Sequence, residues 1–111
     1  KKKRKFIIFG AGVFGRRLYS ILKMSNITPE YFLDRCANKV KGSRFCGLPI
    51  RDLVYLKENY KNELIILASP RNEPDMHHGL FLIGISQSDI LSTLGFYIDY
   101  GEYVPYSLIY D

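Results

Sequence analysis

Six consecutive residues, Gly10-Ala11-Gly12-Val13-Phe14-Gly15, have the types and spacing to hold a phosphate. Gly10 permits a tight turn. Gly12 lets backbone approach a diphosphate with no Cβ in the way. Gly15 lets a helix pack closely on a strand. The amides of a first helical turn and the dipole behind them favour an anion, so Val13, Phe14 and Gly15 would hold it through backbone. A G-x-G-x-x-G spacing carries weight only when a strand precedes it and a helix follows. Both conditions hold here. Phe6-Ile7-Ile8-Phe9 is a short apolar run, and an amphipathic pattern opens straight after the glycines.

Three further groups could complete such a site. Asp34 lies roughly 20 residues beyond the last glycine, where an acid receives ribose hydroxyls. Its alternative is an ordinary turn aspartate. Arg35 could stack on an adenine or meet a 2′-phosphate, but Asp34 beside it disfavours a second anion. That favours NAD or a nucleotide-sugar over NADP. Ser69 and Arg71 follow an apolar run and should face the same crevice, with Arg71 suited to a phosphate or carboxylate. An ordinary polar loop is the equal alternative there.

Other chemistry is thinly represented. His77-His78 are neighbours, about 100° apart on a helix, and cannot share one metal well. We read them as exposed helix residues and expect no metal site. The chain carries no nucleophile elbow, no Y-x-x-x-K pair and no P-loop lysine motif. Cys36 and Cys46 do not have a zinc spacing, and we expect free thiols in a cytoplasmic setting.

The elements that must position these residues read as β-α-β-loop-α-β-α-β. Strands are expected at Phe6–Phe9, Tyr31–Leu33, Leu64–Ala68 and Ile90–Leu91. A helix from Val13 to Lys23 places Phe14, Leu18, Ile21 and Leu22 on one face. Asp52 caps a second helix reaching Tyr60, with Leu53, Leu56 and Tyr60 inward. A third runs from Asp75 to Ile83 and stops at Gly84. Such alternation predicts an α/β, Rossmann-like three-layer sandwich: a mostly parallel sheet with helices on both faces.

With 111 residues, we expect one domain, flanked by a basic lead-in (1–5) and an aromatic tail (95–111). That length buries roughly two-thirds of the unfolded surface. No apolar run approaches the ~20 residues of a bilayer span, and no secretory leader is legible. The net charge of +5 is concentrated in Lys1-Lys2-Lys3-Arg4-Lys5. The remainder is close to neutral, which argues against a nucleic-acid face. The tail tyrosines at 97, 100, 103, 106 and 110 suit a stacking surface, core cover or a subunit contact, so a homo-oligomer is one reading.

The pattern F-G-A-G-x-x-G-R-x-x-Y-x-x-L, then F-L-D, G-x-x-x-x-G-x-P-I, L-I-I-L-A-S and I-G-I runs from Phe9 to Ile85, within a resemblance that covers roughly residues 5 to 91. It resembles the small nucleotide-binding domains of bacterial polysaccharide and nucleotide-sugar enzymes. These stand at the N-terminus of nucleotide-sugar dehydratases and beside sugar acyltransferases, methyltransferases and glycosyltransferases. The resemblance implies that Gly10, Gly12, Gly15 and Asp34 bind NAD or the nucleotide of a sugar donor. It implies a structural hairpin at Gly42, Gly47 and Pro49, and further domains of a parent enzyme as partners. The acyltransferase group usually has His where Phe14 stands. The dehydratases often have a second acid or Asn where Arg35 stands. Two rival expectations remain: part of a sugar methyltransferase holding S-adenosylmethionine, or an assembly module that binds nothing.

Overall fold

The computed structural model describes residues 4–35 and 43–92. The readings placed on Lys1–Lys3, Cys36, Gly42 and the aromatic tail lie outside these residues. Nine main elements follow in order: β1 (Phe6–Phe9), α1 (Val13–Met24), β2 (Phe32–Leu33), β3 (Arg44–Phe45), β4 (Leu48–Arg51), α2 (Leu53–Asn59), β5 (Leu64–Leu67), α3 (Glu73–Leu82) and β6 (Ile90–Leu91).

Six strands form one sheet in the order β3-β4-β2-β1-β5-β6. All neighbours are parallel except β3 and β4, which make an antiparallel hairpin. The longest ladder joins β1 and β5, from Phe6↔Leu64 to Phe9↔Leu67. Both strands are buried at every position, as unbroken apolar runs in a parallel sheet require.

The sheet alternates its side chains between two cores. Phe6, Ile8, Phe32 and Ile66 meet Leu18 and Leu22 of α1. Ile7, Phe9, Leu33 and Ile65 meet Leu56 of α2 and Met76 and Leu80 of α3 on the other side. The order explains this division. From β1 the chain winds one way to β2 and β4, then reverses across β1 to β5 and β6. Crossovers of a single hand place helices on opposite faces when the direction reverses. The architecture is therefore α/β, a mostly parallel doubly wound sheet between helical layers.

Local chemistry sets the ends. Asn26 takes a left-handed φ of 60° just past α1, with Asn26 N–H donating to Lys23 O and Ile27 N–H to Leu22 O. This is the paired closure that stops a helix at a left-handed residue. Asp52 accepts from Tyr55 N–H at 2.9 Å and starts α2. Two readings change. The third helix starts at Glu73, behind a short 3-10 turn at Pro70–Asn72. Leu48–Arg51 is also a strand of the main sheet rather than loop. Pro49 donates no N–H, yet the β2 ladder begins one residue past it, at Phe32↔Ile50. Cys46 and Gly47, both with positive φ, form the two-residue turn into it. Cys46 is a free thiol.

Among the described residues, no helix is long and apolar enough to cross a membrane.

Candidate functional site

The winding reverses between β1 and β5, and a crevice opens beyond their carboxyl ends. It has a volume of about 450 Å³, within the range of small-molecule sites. Its floor is Phe9 and Gly10 from β1 with Ala68 and Ser69 after β5. Ala11, Gly12, Val13 and Phe14 form the wall at the start of α1. Asp34 and Arg35 close the β2 side, and Asn72 and Met76 the α3 side.

The three glycines serve different ends. Gly10 adopts φ 125°, and a Cβ there would stand 3.1 Å from Ala68 O. Gly15 is buried, and a Cβ on it would fall 2.0 Å from Gly10 O. Its role is packing, and it does not line the crevice. Gly12 is the opposite case, since a Cβ there meets nothing within 4 Å. Gly12 lines the crevice, so a side chain would project into ligand space rather than into protein.

The first intrahelical bond of α1 runs from Arg16 N–H to Gly12 O at 3.0 Å. The amides of an α-helix's first turn have no acceptor within the helix, and their dipole is positive at that end. No acid stands in this turn of α1. Arg16 is turned away over the Phe45 ring, at 4.9 Å, which ties α1 to the β3–β4 hairpin.

Asp34 follows β2, with its N–H donating to Arg51 O at 3.0 Å. Its Oδ2 accepts from Ala11 N–H at 3.3 Å, joining the acid to the glycine loop. The two sequence signals thus meet in space. Ser69 also lines the crevice, and its Oγ accepts from Asn72 Nδ2 at 2.8 Å. Arg71 is exposed and does not line it. Phe14, expected on the core face, is 38% exposed and walls the crevice. The Arg17 guanidinium lies 6.0 Å from its ring. Arg35 pairs with Asp75 across the rim, Nη1 to Oδ2 at 3.5 Å. Asn72 and Met76 escaped selection as site residues. A methionine at helical spacing reads as core, and Met76 is in fact 4% exposed while also touching the crevice.

The opposite end of the sheet has a different character. A smaller cavity of about 230 Å³ lies among Lys5, Glu30, Tyr31, Arg51, Tyr55 and Glu63. Glu63 is buried and accepts from Lys61 N–H at 2.6 Å. Nearby, Tyr60 donates its hydroxyl to Asp89 Oδ2 at 2.6 Å, and Arg4 pairs with the other oxygen at 3.3 Å. Burial, then the bond to Asp89, raises the Tyr60 pKa well above its usual value. Burial, reinforced by the Glu63 charge, raises that of Tyr31. Among the described residues the Tyr31 hydroxyl has no hydrogen-bond partner.

Among the described residues, those lining the main crevice include no His, Cys or Lys. Its resources are backbone donors, one carboxylate, one guanidinium, a hydroxyl–amide pair and apolar walls. Groups of those kinds can hold and orient a small molecule. His77 and His78 lie on α3 outside the lining, and among the described residues no group of His, Cys, Asp and Glu could hold a metal ion. Fold and crevice together define a doubly wound α/β protein with an open crevice at its switch point. The chain matches no protein-family model and no curated protein sequence.

Proposed function

We propose that this chain is a nucleotide-binding domain, holding NAD or a nucleotide-sugar, of a larger bacterial enzyme of sugar modification or polysaccharide synthesis. The observation that carries the binding reading is the contrast within the glycine loop. Gly15 is required by packing, while Gly12 has open space where a Cβ would stand, on the crevice wall. The described protein atoms make no demand for glycine at position 12, and a ligand lying against the backbone there would make one. The diphosphate would lie against the amides at the start of α1, and Asp34 would accept ribose hydroxyls. The sugar-enzyme setting rests on the sequence resemblance alone.

Among the described residues the lining supplies no nucleophile and general-base pair, and a catalytic role would call on groups beyond them, such as those of a further domain. The reading is tested by calorimetric titration with NAD, NADP, UDP-sugars and S-adenosylmethionine, repeated on Gly12→Val and Asp34→Ala. Saturable binding of NAD or a UDP-sugar, lost in both variants, is the expected result. Preference for S-adenosylmethionine would move the chain to methyl transfer. Binding of none, by a folded chain, would overturn the nucleotide reading in favour of an assembly module.

A further inference from the structure

We propose that Asp75 determines which nucleotides the crevice accepts by holding Arg35, so that the site takes a ribose with free hydroxyls and rejects one bearing a 2′-phosphate. This rests on the nucleotide reading above. Arg35 is the one cation among the described residues lining the crevice, and it directly follows the proposed ribose acid. Left to itself, a guanidinium there would offer a planar fork to a phosphate. It is instead drawn over the rim toward α3, Nη1 to Asp75 Oδ2 at 3.5 Å.

The charges around it point the same way. Asp34 and Asp75 flank the single guanidinium, and Glu73 adds another acid in the first turn of α3. Among the described residues, three acids thus stand at or beside this side of the crevice, and Arg35 is the one cation lining it. The α1 side has no acid in its first helical turn. One ligand end with concentrated negative charge fits at α1, and an end carrying hydroxyls fits at Asp34. A 2′-phosphate would bring further negative charge to the wrong side.

The Arg35–Asp75 pair is exposed, with side chains 56% and 69% accessible. Such pairs are weak and screened by salt, so the effect is modest and readily shifted. Asp75 is a positioning residue, since it acts through Arg35. Removing its charge while keeping its shape both releases Arg35 and lowers the repulsion.

The test is titration of NAD and NADP into the unsubstituted chain, Asp75→Asn and the double variant Asp75→Asn/Arg35→Ala, with a UDP-sugar as control. The unsubstituted chain is expected to prefer NAD. Asp75→Asn should tighten NADP about fivefold, the scale of one exposed ion pair, and leave NAD within about twofold. Adding Arg35→Ala should remove most of the gain, leaving only the part due to lowered repulsion, a pattern that a merely structural role for Asp75 would not produce. Equal shifts for both ligands, or no change for NADP, overturn the proposal. If neither NAD nor NADP binds but the UDP-sugar does, this inference falls and the nucleotide reading stands. If no nucleotide binds, both fall.

Discussion

The two ends of the sheet use similar residues in different ways. At the amino end, carboxylates are spent on the chain itself. Glu63 accepts from Lys61 N–H, and Asp89 takes both the Tyr60 hydroxyl and Arg4. At the carboxyl end, the glycine loop, Asp34 and Ser69 surround a crevice nearly twice as large. The glycine loop itself repeats the contrast, with Gly15 packed against backbone and Gly12 facing open space. A polar or special residue at the amino end therefore tells of stability. At the carboxyl end the same residue types line the crevice.

Substitutions can break that comparison, and the largest effect is expected inside the glycine loop. Gly15→Ala puts a Cβ 2.0 Å from Gly10 O, a backbone atom that cannot step aside. Overpacking of that kind should cost about 3 kcal/mol or more, measured by denaturant unfolding. A loss under about 1 kcal/mol would mean that α1 and β1 are not held as close as described.

Tyr60→Phe comes next. It removes a hydroxyl bonded to a carboxylate and should cost about 1–2 kcal/mol. Its pH dependence has a definite sign. The Tyr60 pKa is raised in the folded protein, so the neutral form is favoured there. The stabilisation is fully present below the unfolded tyrosine pKa of about 10 and is lost as pH rises above it. Tyr60→Phe should therefore make the alkaline fall in stability less steep. An unchanged slope in urea titrations above that pH would remove Tyr60 from the account.

Asp52→Ala deletes the side-chain acceptor for Tyr55 N–H and should cost about 1 kcal/mol, visible as a lower unfolding midpoint. It sharpens the comparison because Asp52 holds a helix start that does not line the crevice. Nucleotide affinity should be unchanged while stability falls.

Gly12→Ala should have the smallest effect on stability, within about 0.5 kcal/mol, because the added methyl meets no protein atom. Nucleotide affinity should nevertheless fall. A large stability loss with affinity intact would reverse the roles assigned to Gly12 and Gly15.

The elements that could be read from the chain are those whose causes are local. Phe6–Phe9 and Leu64–Leu67 are uninterrupted apolar runs between polar ends, and α1 has Leu18 and Leu22 one turn apart. Asp52 and Asn26 mark helix ends through their own backbone neighbours. The site was legible to the same extent. The glycine spacing located the loop, and the acid after the second strand was found at Ala11 N–H. Phe14 carries two readings, a core-face position and a place in the glycine loop; it walls the crevice, because helical periodicity does not distinguish a core wall from a crevice wall. The hairpin implied at Gly47 and Pro49 is present as β3–β4, but residue pattern alone gives no strand at Leu48–Arg51, because Pro49 signals a loop and only the neighbour β2 shows where the ladder begins.

What the sequence determined by itself was therefore the alternation of strands and helices, their caps and the place of the glycine loop between β1 and α1. Each depends on residues within a turn or two of one another. The tertiary structure alone decided the rest: the strand order, the place of β4 beside β2, and the meeting of Arg35 with Asp75. These depend on which segments the two-sided burial of β1 and β5 brings together. Pairing between distant residues is settled by that shared core, and no short window of the chain contains it.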